Sequence, residues 1–193
     1  PFFDNLPKDV TEENLQSRIR GTLLMALSNK VGNMVVTTGN KSEVSVGYST
    51  LYGDMNGGYN PIKDIYKTEV YALSKWRNTS KSSNCLGPSG EVIPISIIEK
   101  EPTAELREDQ KDKDSLPPYD KLDDILESLI DYEMSISEIV KRGHEKSLVK
   151  KIENLLYISE YKRRQSAPGV KVSQKNFGRD RRYPITNLFR DKN

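Results

Sequence analysis

A short β-branched run lies between two segments with helical periodicity, and this arrangement restricts the fold more than any other feature. Residues 34–37, MVVT, have the composition of a strand buried on both faces, as strands of parallel sheets are. Residues 9–31 before the run and 64–78 after it carry apolar side chains at helical spacing. Residues 93–98 are a candidate second buried strand. The alternation of helix and strand predicts an α/β fold.

The first predicted helix has the clearest local signals. Asp9 or Thr11 can cap its start, and glutamates follow in the first turn, where they favour helix initiation. Its apolar positions recur every fourth residue, and they are Leu15, Ile19, Leu23 and Leu27.

The second half of the chain is predicted to be helical, with irregular segments between. Helical patterning starts at Asp120, stops near Gly143 and returns from Glu145 through Tyr161. Residues 107–118 crowd charges before a Pro-Pro pair, which favours either a mobile loop that closes over a ligand or a solvated linker. Residues 78–90 indicate an exposed loop, and residues 165–193 a basic, turn-rich tail.

Composition restricts the function classes. A chain of 193 residues suits one domain, here residues 1–193, and 30 basic against 28 acidic side chains give no field that indicates nucleic acid or membrane as partner. The single cysteine, Cys85, and the single histidine, His144, exclude an internal disulfide and a Cys/His zinc site. A cytoplasmic protein is expected. A first residue that is proline predicts a cropped chain.

The segment that follows the predicted strand has the strongest chemical signal. Residues 37–43, TTGNKSE, place hydroxyls, a glycine and a carboxylate where ligands bind in parallel sheets. Thr38 can contact a nucleotide, Gly39 permits close backbone approach, and Glu43 can hold Mg²⁺ or a substrate hydroxyl. A strand-to-helix turn with a polar cap explains the same residues.

Two further patterns are consistent with ligand recognition. Residues 52–59, YGDMNGGY, surround Asp54 with glycines and aromatic rings, which suits a planar ligand, although a tight hairpin explains the glycines equally well. Lys63 and Lys67 lie four residues apart across a helix start. They can face one anion, or both can be solvated.

Taken together, several sequence segments closely resemble the NAD synthetase family, and the longer segments resemble its glutamine-dependent branch. Their order and spacing along nearly the whole chain match the family as well. The matching segments are TEENLQSRIRG at 11–21, TTGNKSE at 37–43, GYSTLYGDMNGGYNPIKD at 47–64, KT at 67–68, PTAEL at 102–106, SLPPYD at 115–120 and EYKRRQSAPG at 160–169.

The resemblance implies a ligase that adenylylates the nicotinate carboxylate of deamido-NAD with ATP and Mg²⁺, after which ammonia derived from glutamine displaces AMP. It implies that Thr38, Lys67 and Thr103 bind ATP and that Glu43 and Thr103 bind the metal. Positive side chains and Mg²⁺ suit a reaction in which negative charge develops on pyrophosphate.

The same resemblance assigns residues to deamido-NAD. These are Asn14, Arg18, Glu43 and Asp54, together with Lys162, which with Lys67 is expected to act on the reacting phosphates. The implied fold is part of a Rossmann-like, adenine nucleotide alpha hydrolase-like parallel sheet flanked by helices, with a helical C-terminal region. A homodimer, at least, is expected.

The sequence also departs from the family pattern. The Ser-Gly-Gly-x-Asp-Ser phosphate loop of the family does not occur in these residues, and neither does the N-terminal amidohydrolase domain that releases ammonia from glutamine. Cys85 lies in a Ser-rich stretch without nearby acid-base partners, so it is expected to be a bystander. The chain alone is therefore expected to be inactive.

Three alternatives remain at the level of sequence, and one of them is a purely structural fragment that only dimerises. Another ATP pyrophosphatase amidotransferase would share the adenylylation step, but not the YGDMNGG and EYKRRQ words. An RNA-binding module would use the basic clusters at 162–164 and 179–182 together with Phe177 and Tyr183.

Overall fold

A computed structural model describes residues 3–80, 84 and 86–190 of the chain. Cys85 lies outside these described residues, so its predicted bystander role is not addressed by the structure. The helices are α1 (Val10–Val31), α2 (Lys41–Val46), α3 (Lys67–Thr79), α4 (Ile95–Glu99), α5 (Tyr119–Ile130), α6 (Ile136–Lys141), α7 (Lys146–Ile158) and α8 (Glu160–Arg163), with a 3-10 turn at Asp112–Asp114. No helix in these parts of the chain is both long and apolar enough to span a membrane.

Helix α1 begins where its capping residues predict. The Asp9 carboxylate accepts a hydrogen bond from the Thr11 backbone N–H at 2.7 Å, and the Glu12 carboxylate accepts one from the Asp9 N–H at 2.9 Å. This reciprocal pair satisfies two of the backbone donors that a helix start leaves open. The helix ends at Gly32, whose left-handed φ of 72° allows its N–H to close on the Ser28 carbonyl.

The apolar side of α1 is not its buried side. Its four periodic apolar residues are between 50% and 66% exposed, whereas Ser17 and Gly21 are the buried residues of the helix. At Gly21 a Cβ atom would come within 2.7 Å of the Gly53 carbonyl oxygen. Only glycine therefore permits this approach of α1 to residues 52–59, the glycine-rich loop. The periodicity therefore locates the helix but not the face through which it packs.

The predicted strand at 34–37 forms only one isolated parallel bridge, between Val36 and Tyr59. The Thr37 N–H donates to the Tyr59 carbonyl and the Gly58 N–H donates to the Val35 carbonyl, both at 2.9 Å. The prediction that both faces are buried is wrong for the described chain, because Val36 is 51% exposed and no described strand pairs with its other edge. A parallel sheet is thus not present among residues 3–80, 84 and 86–190.

The second predicted strand is a helix. Residues 95–99 form α4 directly after Pro94, whose φ of −53° is close to the helical value. Ile95 and Ile97 remain exposed and only Ile98 is buried. An apolar run of this length does not distinguish a buried strand from a short helix, and the described chain offers no partner strand to pair with it.

The main core is built by the helices of the second half. Helices α5, α6 and α7 pack together, and α2 packs on α5 and α7. The helical prediction for residues 120–161 is confirmed, with breaks at the predicted Gly143 and also after Ile130. Its fully buried apolar side chains are Leu122, Ile125, Leu126, Ile130, Ile139, Val149, Ile152 and Leu156.

The predicted basic tail is, over residues 167–183, a strap fixed to this core. The fully buried Lys41 ammonium donates to the Ser173 hydroxyl at 2.7 Å and pairs with Asp131 at 3.2 Å. The Asp64 carboxylate accepts from the Val172 and Ser173 N–H groups at 2.8 Å. Buried charges keep their hydrogen bonds, so the strap has one defined position.

The same packing buries three of the residues that an RNA-binding module would use. Arg163 is buried, and its guanidinium donates to the Ser45 carbonyl at 2.7 Å while lying 4.7 Å from the ring centre of Phe177. Phe177 and Tyr183 are both buried in the core. Their rings face protein side chains and are not available to stack on bases, so that alternative is wrong for Arg163, Phe177 and Tyr183. Arg164, Arg179 and Arg182 are exposed.

Candidate active site

Glu43 is held in place by the start of α2. The Asn40 side chain accepts a hydrogen bond from the Glu43 N–H at 3.0 Å, and Glu43 Oε2 accepts one from the Asn40 N–H at 3.2 Å. A polar helix cap, the alternative interpretation of TTGNKSE, is therefore present. Glu43 also makes a second contact, because its Oε1 lies 3.2 Å from the ammonium of Lys67. One carboxylate thus caps a helix and faces a cation.

Lys67 is fixed through the first turn of α3. Its backbone N–H donates to the Ser42 hydroxyl at 2.9 Å, and Ser42 in turn donates to the Asp123 carboxylate. Asp123 also accepts from the N–H and the hydroxyl of Thr68, at 2.9 and 2.8 Å. Burial raises the pKa of Asp123, while these hydrogen bonds favour its charged form. The main chain of Lys67 is therefore anchored to the helical core.

Lys162 reaches the same region from α8. Its ammonium donates to the carbonyls of Gly47 and Ser49, both at 2.6 Å. Burial lowers the pKa of Lys162, and the neighbouring charge of Asp54 partly offsets this effect. Gly47 has a left-handed φ of 68°, and a Cβ atom there would come within 2.3 Å of the Ser159 hydroxyl oxygen. Glycine is therefore required beside this lysine.

Asp54 joins the glycine-rich loop to α1. Its carboxylate accepts from the Thr50 N–H at 2.6 Å, and its own N–H donates to the Ser17 hydroxyl at 3.1 Å. The Thr50 hydroxyl donates to the Asn14 side chain at 3.0 Å. Burial raises the pKa of Asp54. The loop is therefore folded around the Asp54 carboxylate and is not a simple hairpin, although Asp54 itself is exposed. Its role in recognising a planar ligand stays a prediction.

Six of the eight predicted site residues line one cavity of about 320 Å³. Thr38 lines an adjoining cavity of about 90 Å³, which shares Glu43, Asp54 and Lys162 with the first. Arg18 lies outside both: it is exposed, and its Nε donates to the Leu51 carbonyl at 3.1 Å. The six residues in the larger cavity are Asn14, Glu43, Asp54, Lys67, Thr103 and Lys162.

Lys63 does not join Lys67 at a shared anion site. Its ammonium donates to the Ala167 carbonyl at 2.7 Å, whereas Lys67 faces Glu43. Burial lowers the pKa of Lys63. The helical spacing that suggested a pair does not apply, because α3 begins only at Lys67.

The sequence did not indicate three other residues of the cavity region: Tyr48, Asp112 and Tyr119. Asp112 is 5% exposed, and its carboxylate accepts a hydrogen bond from the Tyr119 hydroxyl at 2.7 Å. Burial is the largest cause that raises the pKa values of Tyr48 and Tyr119. Tyr48 and Tyr119 lie in segments that resemble the family, but no role was assigned to them, and Asp112 lies in the loop at 107–118, where it is one of many charges.

A larger groove of about 690 Å³ lies elsewhere, between α3, the end of α5 and the strap. Its walls include Leu73, Trp76 and Tyr132, and it contains none of the predicted site residues. Size alone would favour this groove as a ligand site. The convergence of sequence-distant polar residues favours the smaller cavity.

A sequence profile described as NAD synthase matches residues 2–166. The chain belongs to the NAD synthase family. It is 58% identical over 184 residues to a glutamine-dependent NAD(+) synthetase of Rhodobacter capsulatus, covering 95% of the chain and 33% of that protein. It is 56% identical over 189 residues to the corresponding protein of Xanthomonas campestris pv. campestris, covering 98% of the chain and 33% of that protein.

The fold of this NAD synthase family chain is similar to a solved relative. The crystal structure of a glutamine-dependent NAD(+) synthetase from Cytophaga hutchinsonii superposes with a TM-score of 0.71 at 26% identity, covering 93% of this chain and 29% of that one. The chain spans about a third of the length of the curated relatives it matches.

Proposed function

We propose that the complete protein carrying this chain is a ligase that makes NAD from deamido-NAD and ATP, with ammonia derived from glutamine. The observation that carries the proposal is the single cavity in which six residues from separate segments meet. Two of them are cations, Lys67 and Lys162, and two are carboxylates, Glu43 and Asp54. Family membership and identities above 50% support the same chemistry.

In this proposal the two lysines bind and stabilise phosphate oxygens. Lys67 sits on an anchored helix start and Lys162 on a short helix held by the core, so both ammonium groups are oriented before substrate arrives. Negative charge develops on the leaving pyrophosphate during adenylylation, and fixed cations lower the free energy of that transition state. Thr38 and Thr103 supply hydroxyls for ATP.

Glu43 and Thr103 are the proposed protein ligands of Mg²⁺. Among residues 3–80, 84 and 86–190, no group of three or more His, Cys, Asp or Glu side chains forms a metal site by itself. This fits Mg²⁺, which is commonly held by one or two protein oxygens together with substrate phosphates and water. When bound, the ion would neutralise charge on the triphosphate. The Glu43 carboxylate, already facing Lys67, fits such a role.

We propose that deamido-NAD is bound by Asn14, Asp54 and the Glu43 carboxylate. Asn14 and Asp54 are linked through Thr50, which ties α1 to the glycine-rich loop. For Arg18, which lies outside the cavity, a dinucleotide contact rests on the family resemblance alone.

The rest of the complete protein is proposed to supply what these residues lack. A Rossmann-like parallel sheet would pair its next strand with the open edge at residues 34–37, and a phosphate loop and an ammonia-releasing domain would complete catalysis. We further propose at least a homodimer, which the exposed apolar side of α1 supports. The chain alone is accordingly proposed to be inactive.

The test compares two lysine substitutions in the full-length enzyme with ammonia as the nitrogen source. Lys162→Ala should lower kcat by roughly ten- to a thousandfold, the scale of losing one charged stabiliser of a transition state. Lys162→Arg should restore only part of the rate, because a planar guanidinium does not replace a compact ammonium.

The matched control is Lys150→Ala, at an exposed position of α7. It should leave kcat and KM unchanged. Full activity in Lys162→Ala, or an equal loss in both variants, would refute the assignment. Failure of the wild-type enzyme to form NAD would refute the function itself.

A further inference from the structure

Tyr119 is the first residue of α5 and lies against Lys67. The centre of its ring is 5.5 Å from the Lys67 ammonium, and the ring centre of Tyr71 is 5.9 Å from the same atom. The ammonium is therefore enclosed by two aromatic rings and the Glu43 carboxylate, which lies 3.2 Å away. Both ring distances are within the range of cation–π attraction.

The Tyr119 ring is itself held by the segment that precedes it. Its hydroxyl donates to the buried Asp112 carboxylate at 2.7 Å, and the Asp112 N–H donates to the Pro102 carbonyl at 3.0 Å. Pro102 directly precedes Thr103, which lines the cavity. Burial, together with the charges of Glu43 and Asp112, raises the pKa of Tyr119, so its hydroxyl remains protonated and keeps donating.

A ring holds a lysine differently from a carboxylate. The lysine stem is long and flexible, so its ammonium needs neighbours to fix its position. A carboxylate fixes the ammonium but also neutralises it, which opposes the attraction of phosphate. A neutral ring restricts the ammonium and leaves its full charge available to an incoming anion.

We propose that Tyr119 is a positioning residue for Lys67, with its ring fixed by the hydrogen bond to Asp112. It keeps the Lys67 ammonium at the cavity wall, ready for the triphosphate of ATP. This inference rests on the proposed function in its assignment of Lys67 to ATP phosphates. Through the hydrogen bond from Tyr119 to Asp112, residues 107–118 affect the position of Lys67 without contacting ATP themselves.

The first measurement is the affinity of the full-length enzyme for a non-hydrolysable ATP analogue, beside steady-state KM values. Tyr119→Leu removes the ring and should weaken analogue binding and raise the KM for ATP by about three- to twentyfold, with an unchanged KM for deamido-NAD. Tyr119→Phe removes only the hydroxyl and its hydrogen bond to Asp112, so it should show a smaller effect. Tyr132→Leu, at an exposed tyrosine just beyond the other end of α5, should be silent.

A double-mutant cycle decides whether Tyr119 acts through Lys67. In a Lys67→Ala background, Tyr119→Leu should cause no further loss of analogue affinity, because the group it positions is gone. Additive losses would overturn the inference. If the wild-type enzyme binds the analogue but forms no NAD, the proposed function fails while the cycle still tests the inference. A wild-type enzyme that does not bind the analogue overturns both.

Discussion

Helices α1 and α5 both carry apolar residues at helical spacing, but these residues have opposite surroundings in the structure. Leu122, Ile125 and Leu126 of α5 are fully buried. In α1, Ile19 is 52% exposed and Leu23 is 66% exposed, so this apolar side faces away from the described chain. An apolar stripe therefore does not by itself show which face of a helix is buried within this chain. The chain spans about a third of its relatives' length, so an outside partner for α1 is expected.

The two helices are consequently held by different forces. Burying a leucine or isoleucine in the α5 core contributes about 1.5–3 kcal/mol for each side chain. Helix α1 is attached mainly by polar contacts and close backbone approach, such as the Arg20 bond to the Glu105 carbonyl at 3.0 Å. A typical hydrogen bond contributes only about 1 kcal/mol net. The C-terminal half should therefore be the stable part of this chain.

The largest expected effect uses one matched substitution in both helices. Leu126→Ala should destabilise the chain by about 2–5 kcal/mol, because it opens a cavity in a closed core. Leu23→Ala removes the same atoms from an exposed position and should change the free energy of unfolding by less than about 0.5 kcal/mol. Urea denaturation of the two variants measures the difference, and equal losses would break the comparison.

The same two substitutions, Leu126→Ala and Leu23→Ala, made in the full-length enzyme provide the control. There Leu23→Ala should become destabilising or should weaken self-association, because the apolar side of α1 is then covered. A Leu23→Ala variant that is silent in both forms would show that α1 remains exposed in the complete protein.

A smaller effect is expected at the contact that attaches α1. Gly21→Ala adds a Cβ atom 2.7 Å from the Gly53 carbonyl oxygen, which should separate α1 from the glycine-rich loop at a cost of about 1–3 kcal/mol. Thr22→Ala, at the next and exposed position, should be nearly neutral. Thermal melts measure both. A Gly21→Ala chain that is more stable than the wild type, as helix propensity alone predicts, would show that the close approach is not essential.

The smallest effect concerns pH. Because burial raises the pKa of Asp54 above its ordinary 3.8, the folded chain binds this proton more readily than the unfolded chain does. The stability associated with the protonated form is complete below pH 3.8 and is lost as pH rises through the folded pKa.

Asp54→Asn should therefore raise Tm at pH 7 by about 2 °C, with no difference remaining at acid pH, while NAD formation by the full-length enzyme falls. Melting curves from about pH 3 to about pH 8 provide the measurement. A lower Tm for the variant at pH 7 would contradict a stability cost of the ionised Asp54 carboxylate.

The candidate site was predictable where its residues lie in segments that resemble the family and carry a role in it. Glu43, Lys67 and Lys162 were identified from words resembling the family, and the structure brings them to one cavity. Asp112 was missed because it is one charge in a charged loop, and Tyr119 was missed because the family-like segment that contains it carried no assigned role. Their roles arise only when the loop at 107–118 packs beside Lys67.

The sequence by itself determined the long helices α1, α3, α5 and α7, the helix caps at Asp9 and Asn40, and the residue types that can bind phosphate. These features depend on neighbours within a few positions, such as Asp9 with Thr11 or Asn40 with Glu43. Only the tertiary structure decided which face of α1 is buried, that residues 95–99 are helical, and that Tyr119 lies on Lys67. Those outcomes depend on segments far apart along the chain, whose meeting is decided by packing and not by local propensity.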